Sequence, residues 1–251
     1  MAESSTTFSR PVFFVPGWAG EAGDCWTDAY ANSPKRHAPA RAWVEQIVPP
    51  ANRTAMVRYL SFTLAQSKAC QSFLDFGPIL KAKIRAAVAP GTPIDLVCHS
   101  MGSLDAIAAV TQPPAPLLDV VNLVAAASPL QGIFYGKLVQ PIDTLLPFVA
   151  WQPQHYTQVR NMDYLLPPIQ LINTLETRRL LLERVGAFHG LEGTQDAVVM
   201  RSARLKTDGL DQQARSRVHH RQIAGATHTG AAGVTQDPRT IREIFRILLR
   251  K

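Results

Sequence analysis

Short apolar runs alternate along most of the chain with longer segments in which apolar residues recur at helical spacing. Glycine, proline or polar residues bound each short run, as is typical of buried strands. The longer segments carry one apolar face, as Ala40, Trp43, Val44 and Ile47 illustrate. We predict strands at 11–16, 55–62, 94–98, 120–127, 184–191 and 219–224, and helices at 40–48, 66–88, 103–110, 169–182 and 239–249.

This alternation predicts an α/β fold with a mostly parallel central sheet and helices on both faces. The 251 residues suffice for one such domain, and no internal repeat is visible, so we predict a single domain over residues 1–251. Within the helix over 66–88, Gly77-Pro78 is a candidate break, because proline removes one helical hydrogen bond.

Residues 128–170 interrupt the alternation, and glycines and prolines divide their apolar part, residues 130–151. A connection of this length is long for an α/β domain and is typical of a functional excursion. We therefore expect a cap or lid inserted at 131–168. Two short helices packed permanently on the domain are the alternative.

Composition narrows the location of the protein. No uninterrupted apolar run approaches the roughly 20 residues that span a bilayer. The first residues are polar and lack the apolar core of a secretory signal, so we expect a cytoplasmic location. Three cysteines without a framework spacing argue against a disulfide scaffold, although a Cys25–Cys70 bridge stays open.

The net charge of +7 is concentrated near the end of the sequence. Residues 201–251 contain 11 of the 26 basic and 4 of the 19 acidic side chains. This region has no recognised nucleic-acid motif and no interleaved aromatic residues, so nucleic acid is not an expected partner. Solvated helix faces account for most of these charges, and a weak contact with an anionic membrane surface is the alternative.

The strand over 94–98 runs into the helix over 103–110 through a connection of only four residues. Ser100 lies at the tip of this turn, in the run Cys98-His-Ser-Met-Gly102. A sharp strand–turn–helix elbow exposes a serine hydroxyl beside the free N–H groups of a helix N-terminus, which suits nucleophilic catalysis. Taken alone, an ordinary turn with a helix-capping serine explains the same five residues.

A serine nucleophile needs an imidazole base and a carboxylate that orients the base. His228 follows the last predicted strand in a glycine-rich loop and is the predicted base. Asp196 follows the strand over 184–191 and is the predicted acid, with an Asx-turn as its structural alternative. Glu192 and Asp208 are the alternative acids.

Two other titratable residues lie close to the predicted nucleophile in sequence. We expect His99 to pack behind Ser100 and Asp105 to make a surface or helix-packing contact. Upstream, the strand over 11–16 ends at Gly17-Trp18. There the glycine permits close approach of a ligand, and the Trp18 N–H is the predicted donor of an oxyanion hole. Taken alone, a simple turn explains these residues equally well.

The chain resembles α/β-hydrolases of the lipase/esterase type in five segments, namely Phe14–Trp18, Val97–Gly102, Ala127–Gly132, Gly193–Val199 and Ala226–His228. The His-Ser-Met-Gly element and the Asn161-Met-Asp-Tyr-Leu-Leu-Pro-Pro segment are similar to those of bacterial triacylglycerol lipases and PGAP1-like serine hydrolases. The departures are Cys98 in place of glycine, Ser103 in place of a frequent second glycine, and Pro16 where many lipases have histidine.

The resemblance implies a catalytic triad of Ser100, Asp196 and His228, with the N–H groups of Trp18 and Met101 as the oxyanion hole. It also implies that residues 131–168 cover an acyl pocket. The predicted substrate contacts are Gly17, Leu130 and Phe148.

The expected function is hydrolysis of a small-molecule carboxylic ester or lipid with a hydrophobic acyl chain, without a metal or organic cofactor. A thioesterase or acyltransferase that uses the same triad is the alternative, followed by a non-catalytic binding protein of the same fold.

Overall fold

A six-stranded parallel sheet organises the part of the chain that the structure describes. This computed structural model describes residues 8–17, 25–28, 38–113, 117–133, 153–199, 203–230 and 232–250, with the backbone alone at 153–156. The strands are β1 Val12–Val15, β2 Val57–Tyr59, β3 Ile94–His99, β4 Val120–Ala126, β5 Val185–Gly193 and β6 Val218–Ile223. Their order is β2-β1-β3-β4-β5-β6, and every neighbouring pair is parallel. The predicted parallel sheet is thus confirmed.

Helices cover both faces of this sheet. In chain order, the helices of the described residues are α1 Ala40–Ile47, α2 Pro50–Met56, α3 Leu64–Ala69, α4 Phe73–Ala87, α5 Met101–Thr111, α6 Pro153–Arg160, α7 Pro167–Ile172, α8 Leu175–Arg184, α9 Gln212–Ser216 and α10 Pro238–Leu248. Apolar side chains of α4, α5 and α8 form one core cluster, and those of α1 and α10 form a second. Alternate residues of β1 belong to the two clusters, as expected of a strand buried on both faces.

The prediction of one long helix over 66–88 with a break at Gly77-Pro78 is wrong. The chain forms α3 and α4 instead, and the break lies before Ser72. There a capping box begins α4, in which the Ser72 and Asp75 side chains each accept a backbone hydrogen bond at the helix start. The Gly77-Pro78 pair lies inside α4. A side chain at Gly77 would place its Cβ 2.6 Å from the Ala108 Cβ of α5, so this glycine permits close packing of the two helices.

Two further boundaries differ from the predictions. The helix expected over 169–182 is divided into α7 and α8, because Thr174 begins α8 by accepting a hydrogen bond from the Thr177 N–H. The strand expected over 55–62 is shortened to β2, since α2 occupies the residues up to Met56. In both places a local helix start overrides an apolar pattern.

Cys25 and Cys70 do not form a disulfide bond. The Cys70 side chain is buried in the cluster beside α4, whereas Cys25 packs against the cluster on the opposite face of the sheet. The bridge that the sequence left open is therefore absent. None of the helices in the described residues is long and apolar enough to cross a membrane.

The described portion of the 131–168 segment is bonded to the domain through a buried amide. The Gln158 Nε2 atom of α6 donates hydrogen bonds to the Ser67 and Cys70 carbonyl oxygens, each at 3.0 Å. These bonds hold α6 against the end of α3. Residues 134–152 lie outside the described residues, so a cap inserted into a single domain stays a prediction.

Candidate active site

The turn between β3 and α5 holds Ser100 in a strained backbone conformation. Its φ of 49° and ψ of −127° lie where residues other than glycine rarely occur. The Ser100 N–H donates to the Ala126 carbonyl oxygen of β4 at 2.9 Å, which fixes the turn against the neighbouring strand. Such strain persists only where the surroundings enforce it, and it concentrates at functional sites.

Two glycines allow the chain to pack closely around Ser100. A Cβ at Gly102, in the first turn of α5, would lie 2.0 Å from the Pro16 carbonyl oxygen, so any side chain there would collide with the backbone after β1. A Cβ at Gly17 would lie 3.0 Å from the Ser100 Cβ. The end of β1 is therefore in contact with the turn, and Gly17, a predicted substrate contact, lies beside the serine.

The loops after β5 and β6 bring a carboxylate and an imidazole to the same serine. The His228 Nδ1 atom lies 2.9 Å from Asp196 Oδ2, and the His228 Nε2 atom lies 2.9 Å from Ser100 Oγ. A carboxylate can only accept, so Nδ1–H donates to Asp196 and Nε2 is left to accept the Ser100 hydroxyl proton. The three residues predicted as a triad thus form one continuous hydrogen-bonded chain, and all three are buried.

The environment of Asp196 keeps this carboxyl ionised. Burial alone would raise its pKa, but the hydrogen bond from His228 and the backbone N–H groups of Val199 and Val198 outweigh burial and lower the pKa. The Asp196 N–H itself donates to Gly193 at the end of β5, which forms the turn that presents the carboxylate. An ionised Asp196 can stabilise a positive charge on the imidazole of His228.

The predicted oxyanion hole is described only in part. Met101 is the first residue of α5, and its N–H has no carbonyl partner within the helix, as at every helix N-terminus. The helix dipole adds positive potential at this point. Trp18, the second predicted donor, and Phe148, a predicted substrate contact, lie outside the described residues. Leu130 lies in the core cluster and is only 2% exposed.

The alternative acids lie elsewhere. The Glu192 carboxylate pairs with Arg204 and accepts from Gln222, and Asp208 pairs with Arg178 while its side chain is 77% exposed. Both acids therefore have other partners among the described residues. Asp196 alone of the three predicted acids makes the contact with the imidazole.

Of the two contacts expected for Asp105, the structure contradicts the surface contact and is consistent with the helix-packing contact, and it extends the expectation for His99. Asp105 is fully buried in α5, a helix that packs against α4, and neither of its carboxyl oxygens has a hydrogen-bond partner among the described residues. His99 is buried behind Ser100 as expected, but its Nε2 atom also lies 3.1 Å from the His228 carbonyl oxygen. Sequence reasoning missed that contact, whose only sequence signal is a polar residue at the buried end of an apolar strand.

Within the described residues, no group of three or more histidine, cysteine or acidic side chains is arranged to hold a metal ion. The site consists of protein side chains, backbone N–H groups and a helix terminus. This arrangement can deliver a deprotonated serine oxygen to an electrophilic carbon and stabilise the negative charge that results.

Solved structures with the same arrangement of strands and helices identify the fold. Lipase BlEst2 from Bacillus licheniformis in its mature form is 13% identical with a TM-score of 0.61, and the match covers 100% of this chain and 95% of that chain. Phospholipase PlaB from Legionella pneumophila is 14% identical with a TM-score of 0.66, over 96% of this chain and 60% of that chain. The NocB thioesterase domain is 15% identical with a TM-score of 0.51, over 96% of this chain and 95% of that chain.

These similarities establish that the chain has the α/β-hydrolase fold, as its sequence resemblance implied. Identities this low carry the fold alone. In sequence, the chain matches no protein-family profile and no curated protein.

Proposed function

We propose that this protein is a carboxylic ester hydrolase of the lipase or esterase type, which acts through a covalent acyl-enzyme on Ser100. The observation that carries this proposal is the pair of 2.9 Å contacts that link Ser100 to His228 and His228 to Asp196, at the tip of a strained elbow. A capping serine, the alternative interpretation of the motif, requires neither contact. In addition, the Ser100 side chain makes no capping hydrogen bond to α5.

In the proposed reaction, Ser100 Oγ attacks the carbonyl carbon of the ester while His228 Nε2 accepts the hydroxyl proton. Asp196 stabilises the resulting imidazolium. The carbonyl oxygen becomes an oxyanion, which accepts hydrogen bonds from the backbone N–H groups of Met101 and Trp18. His228 then donates its proton to the departing alcohol. A water molecule then attacks the acyl carbon while His228 Nε2 accepts its proton, and the bond to Ser100 Oγ breaks as His228 returns a proton to that oxygen, which releases the acid.

The proposed substrate carries a hydrophobic acyl chain. The support is the apolar character of residues 130–151, where Leu130 and Phe148 are proposed to contact the acyl chain beneath a cap formed by residues 131–168. An acyl pocket of this kind gains binding free energy with each methylene that it buries, about 0.8 kcal/mol. Catalytic efficiency is therefore expected to rise with chain length until the pocket is filled.

A thioesterase is the second candidate, because the NocB thioesterase domain shares the fold over nearly the whole chain. The same triad can also transfer the acyl group to an alcohol. Rates on matched oxygen esters and thioesters of one acyl chain distinguish an esterase from a thioesterase. Product analysis with an added alcohol acceptor detects acyl transfer.

The test is a chain-length series of p-nitrophenyl esters with the wild type and the variants Ser100→Ala, His228→Ala and Asp196→Asn. Each variant should lose on the order of a thousand-fold or more in kcat/KM while it retains the wild-type unfolding transition. Asp208→Asn is the matched control for the acid, since this exposed carboxylate should be replaceable without loss. Full activity in Ser100→Ala would refute the mechanism, and equal rates from acetate to palmitate would refute the hydrophobic pocket.

A weak contact with anionic membranes remains a secondary proposal. Part of the positive charge of residues 201–251 is neutralised within the fold, because Arg221 and Arg246 both pair with Glu243, and Arg239 pairs with Asp237. Any attraction should therefore be modest and strongly screened by salt. Pelleting of the protein with anionic and with neutral liposomes, at low and at high salt, tests this attraction. Equal binding to the anionic and the neutral liposomes would refute an electrostatic contact.

A further inference from the structure

His99 joins the strand that carries the nucleophile to the loop that carries the base. Its ring is 3% exposed, and its Nε2 atom lies 3.1 Å from the backbone carbonyl oxygen of His228. A carbonyl oxygen can only accept a hydrogen bond, so the ring proton of His99 is on Nε2, and this N–H donates a hydrogen bond to the His228 carbonyl oxygen. The β3–α5 turn and the loop of His228 are thus joined by two hydrogen bonds. One involves Ser100 Oγ, and the other is made by His99, the residue directly before the serine.

The other ring nitrogen has a partner of matching character. With the proton on Nε2, Nδ1 is an acceptor, and Cys25 Sγ lies 3.6 Å from it, within reach of a weak S–H donor. The indole of Trp26 packs edge-on against the imidazole of His99, with ring centroids 6.2 Å apart. The ring is therefore fixed in both orientation and tautomer.

The His99 ring stays neutral beside a group that becomes charged in the proposed reaction. Its centroid lies 5.1 Å from that of the His228 ring. Burial chiefly, and then the charge of His228, lower the pKa of His99 to about 3, against the opposing effects of its hydrogen bond to His228 and of Asp196. A neutral donor can hold the His228 backbone without repelling the imidazolium that forms on the same residue.

We propose that His99 is a positioning residue that holds the His228 backbone, and through it the His228 imidazole, in line with Ser100 Oγ. The inference rests on the proposed function, because it assigns His228 as the base. It predicts that His99 acts on catalysis only through His228. It also predicts that a side chain with a donor at the Nε2 position can replace His99, whereas an apolar one cannot.

The variants His99→Leu and His99→Gln test this assignment. Leucine leaves a buried carbonyl without a donor, so kcat should fall about 10- to 100-fold with KM nearly unchanged. Glutamine supplies an amide N–H and should recover most of the loss. The matched control is His189→Leu, a buried histidine of β5 that hydrogen-bonds to Asn122, which should lower stability but leave kcat unchanged.

A double-mutant cycle separates positioning from a general structural role. In a His228→Ala background, His99→Leu should have no further effect on the residual rate, because the imidazole through which His99 acts is absent. A further loss of the same size would show that His99 supports Ser100 or the oxyanion hole instead, and would overturn the proposal. If His228→Ala itself keeps full activity, the proposed function fails and this inference fails with it, whereas loss of activity in His228→Ala together with full activity in His99→Leu would overturn this inference alone.

One measurement needs no variant. The ring ¹⁵N chemical shifts of His99 in the wild-type protein should show a protonated Nε2 and an unprotonated Nδ1 from pH 5 to 9. A proton on Nδ1 would remove the donor to His228 and overturn the assignment, even if every substitution at His99 failed to fold.

Discussion

The substitution Asp105→Asn is expected to stabilise this protein, by an amount that grows with pH. Asp105 lies on α5, five residues after Ser100 in the chain, with no exposed surface and no hydrogen-bond partner among the described residues. Burial raises its pKa well above the usual 3.8, because burial disfavours the charged form of the carboxyl. Its surroundings include the buried thiols of Cys98 and Cys70, and burial is the main cause that raises the pKa values of both thiols, that of Cys70 to about 11.

The magnitude follows from the protons bound in each state. Above pH 3.8 the unfolded chain releases the Asp105 proton, whereas the folded chain keeps it up to its higher pKa. Over that window the free energy of unfolding falls by about 1.4 kcal/mol for each pH unit. Asparagine has nearly the same shape and does not titrate. The variant should therefore gain about 1.4 kcal/mol on the wild type per pH unit, and the gain should level off at the folded-state pKa of Asp105.

Urea unfolding of both proteins at half-unit steps from pH 4 to 9 measures this difference directly. Every other titrating group is common to the two proteins and cancels in the comparison. Asp208→Asn, at an exposed carboxylate, is the control for the removal of one negative charge. A flat curve for Asp105→Asn, or a variant less stable than the wild type at pH 8, would show that the folded protein stabilises the charged carboxylate and would refute the reasoning.

Three other perturbations have defined outcomes. Gly102→Ala should abolish activity and cost about 3 kcal/mol or more, because its Cβ would lie 2.0 Å from the Pro16 carbonyl oxygen; wild-type stability and rate would contradict this. Burial chiefly lowers the pKa of His99 to about 3 and that of His189 to about 4. Between about pH 4 and 6.5 these two imidazoles are protonated in the unfolded chain but neutral in the folded protein, so the free energy of unfolding should fall as the pH drops through this range. His189→Gln removes one of the two groups and should make Tm depend less on pH. Gln158→Ala removes two buried hydrogen bonds and should lower the free energy of unfolding by about 2 kcal/mol, measured in urea, with little change in kcat.

The strands were predictable because a strand buried on both faces needs a continuous apolar run, and few other structures do. The runs that became β1, β3 and β4 lie within a residue or two of their predicted positions. Helix boundaries were harder. The Gly77-Pro78 pair is locally typical of a break, yet α4 continues through it, with Gly77 packed closely against Ala108, which is distant in sequence.

The candidate site also contains residues that the sequence could predict and contacts that it could not. Residues that follow strands in a known chain order, such as Asp196 and His228, could be selected from position alone. The burial of Asp105 and the contact between His99 and the His228 carbonyl could not, since both depend on how elements pack across the sheet. A pattern along the chain carries no information on which side chains meet between elements.

The packing of the strands and helices also explains why position 98 can hold a cysteine in place of the glycine that is usual in this motif. The described parts of the site come from four strand ends, with Gly17 after β1, Ser100 after β3, and the acid and imidazole loops after β5 and β6. Parallel strands place all four ends at one edge of the sheet, so the constellation depends on topology more than on any single motif position. The contact that tolerates no side chain is the one at Gly102, against the backbone after β1. Cys98 is fully buried in the core cluster beside α5, so its side chain packs as a small apolar group, and the elbow retains its strained geometry without the first glycine.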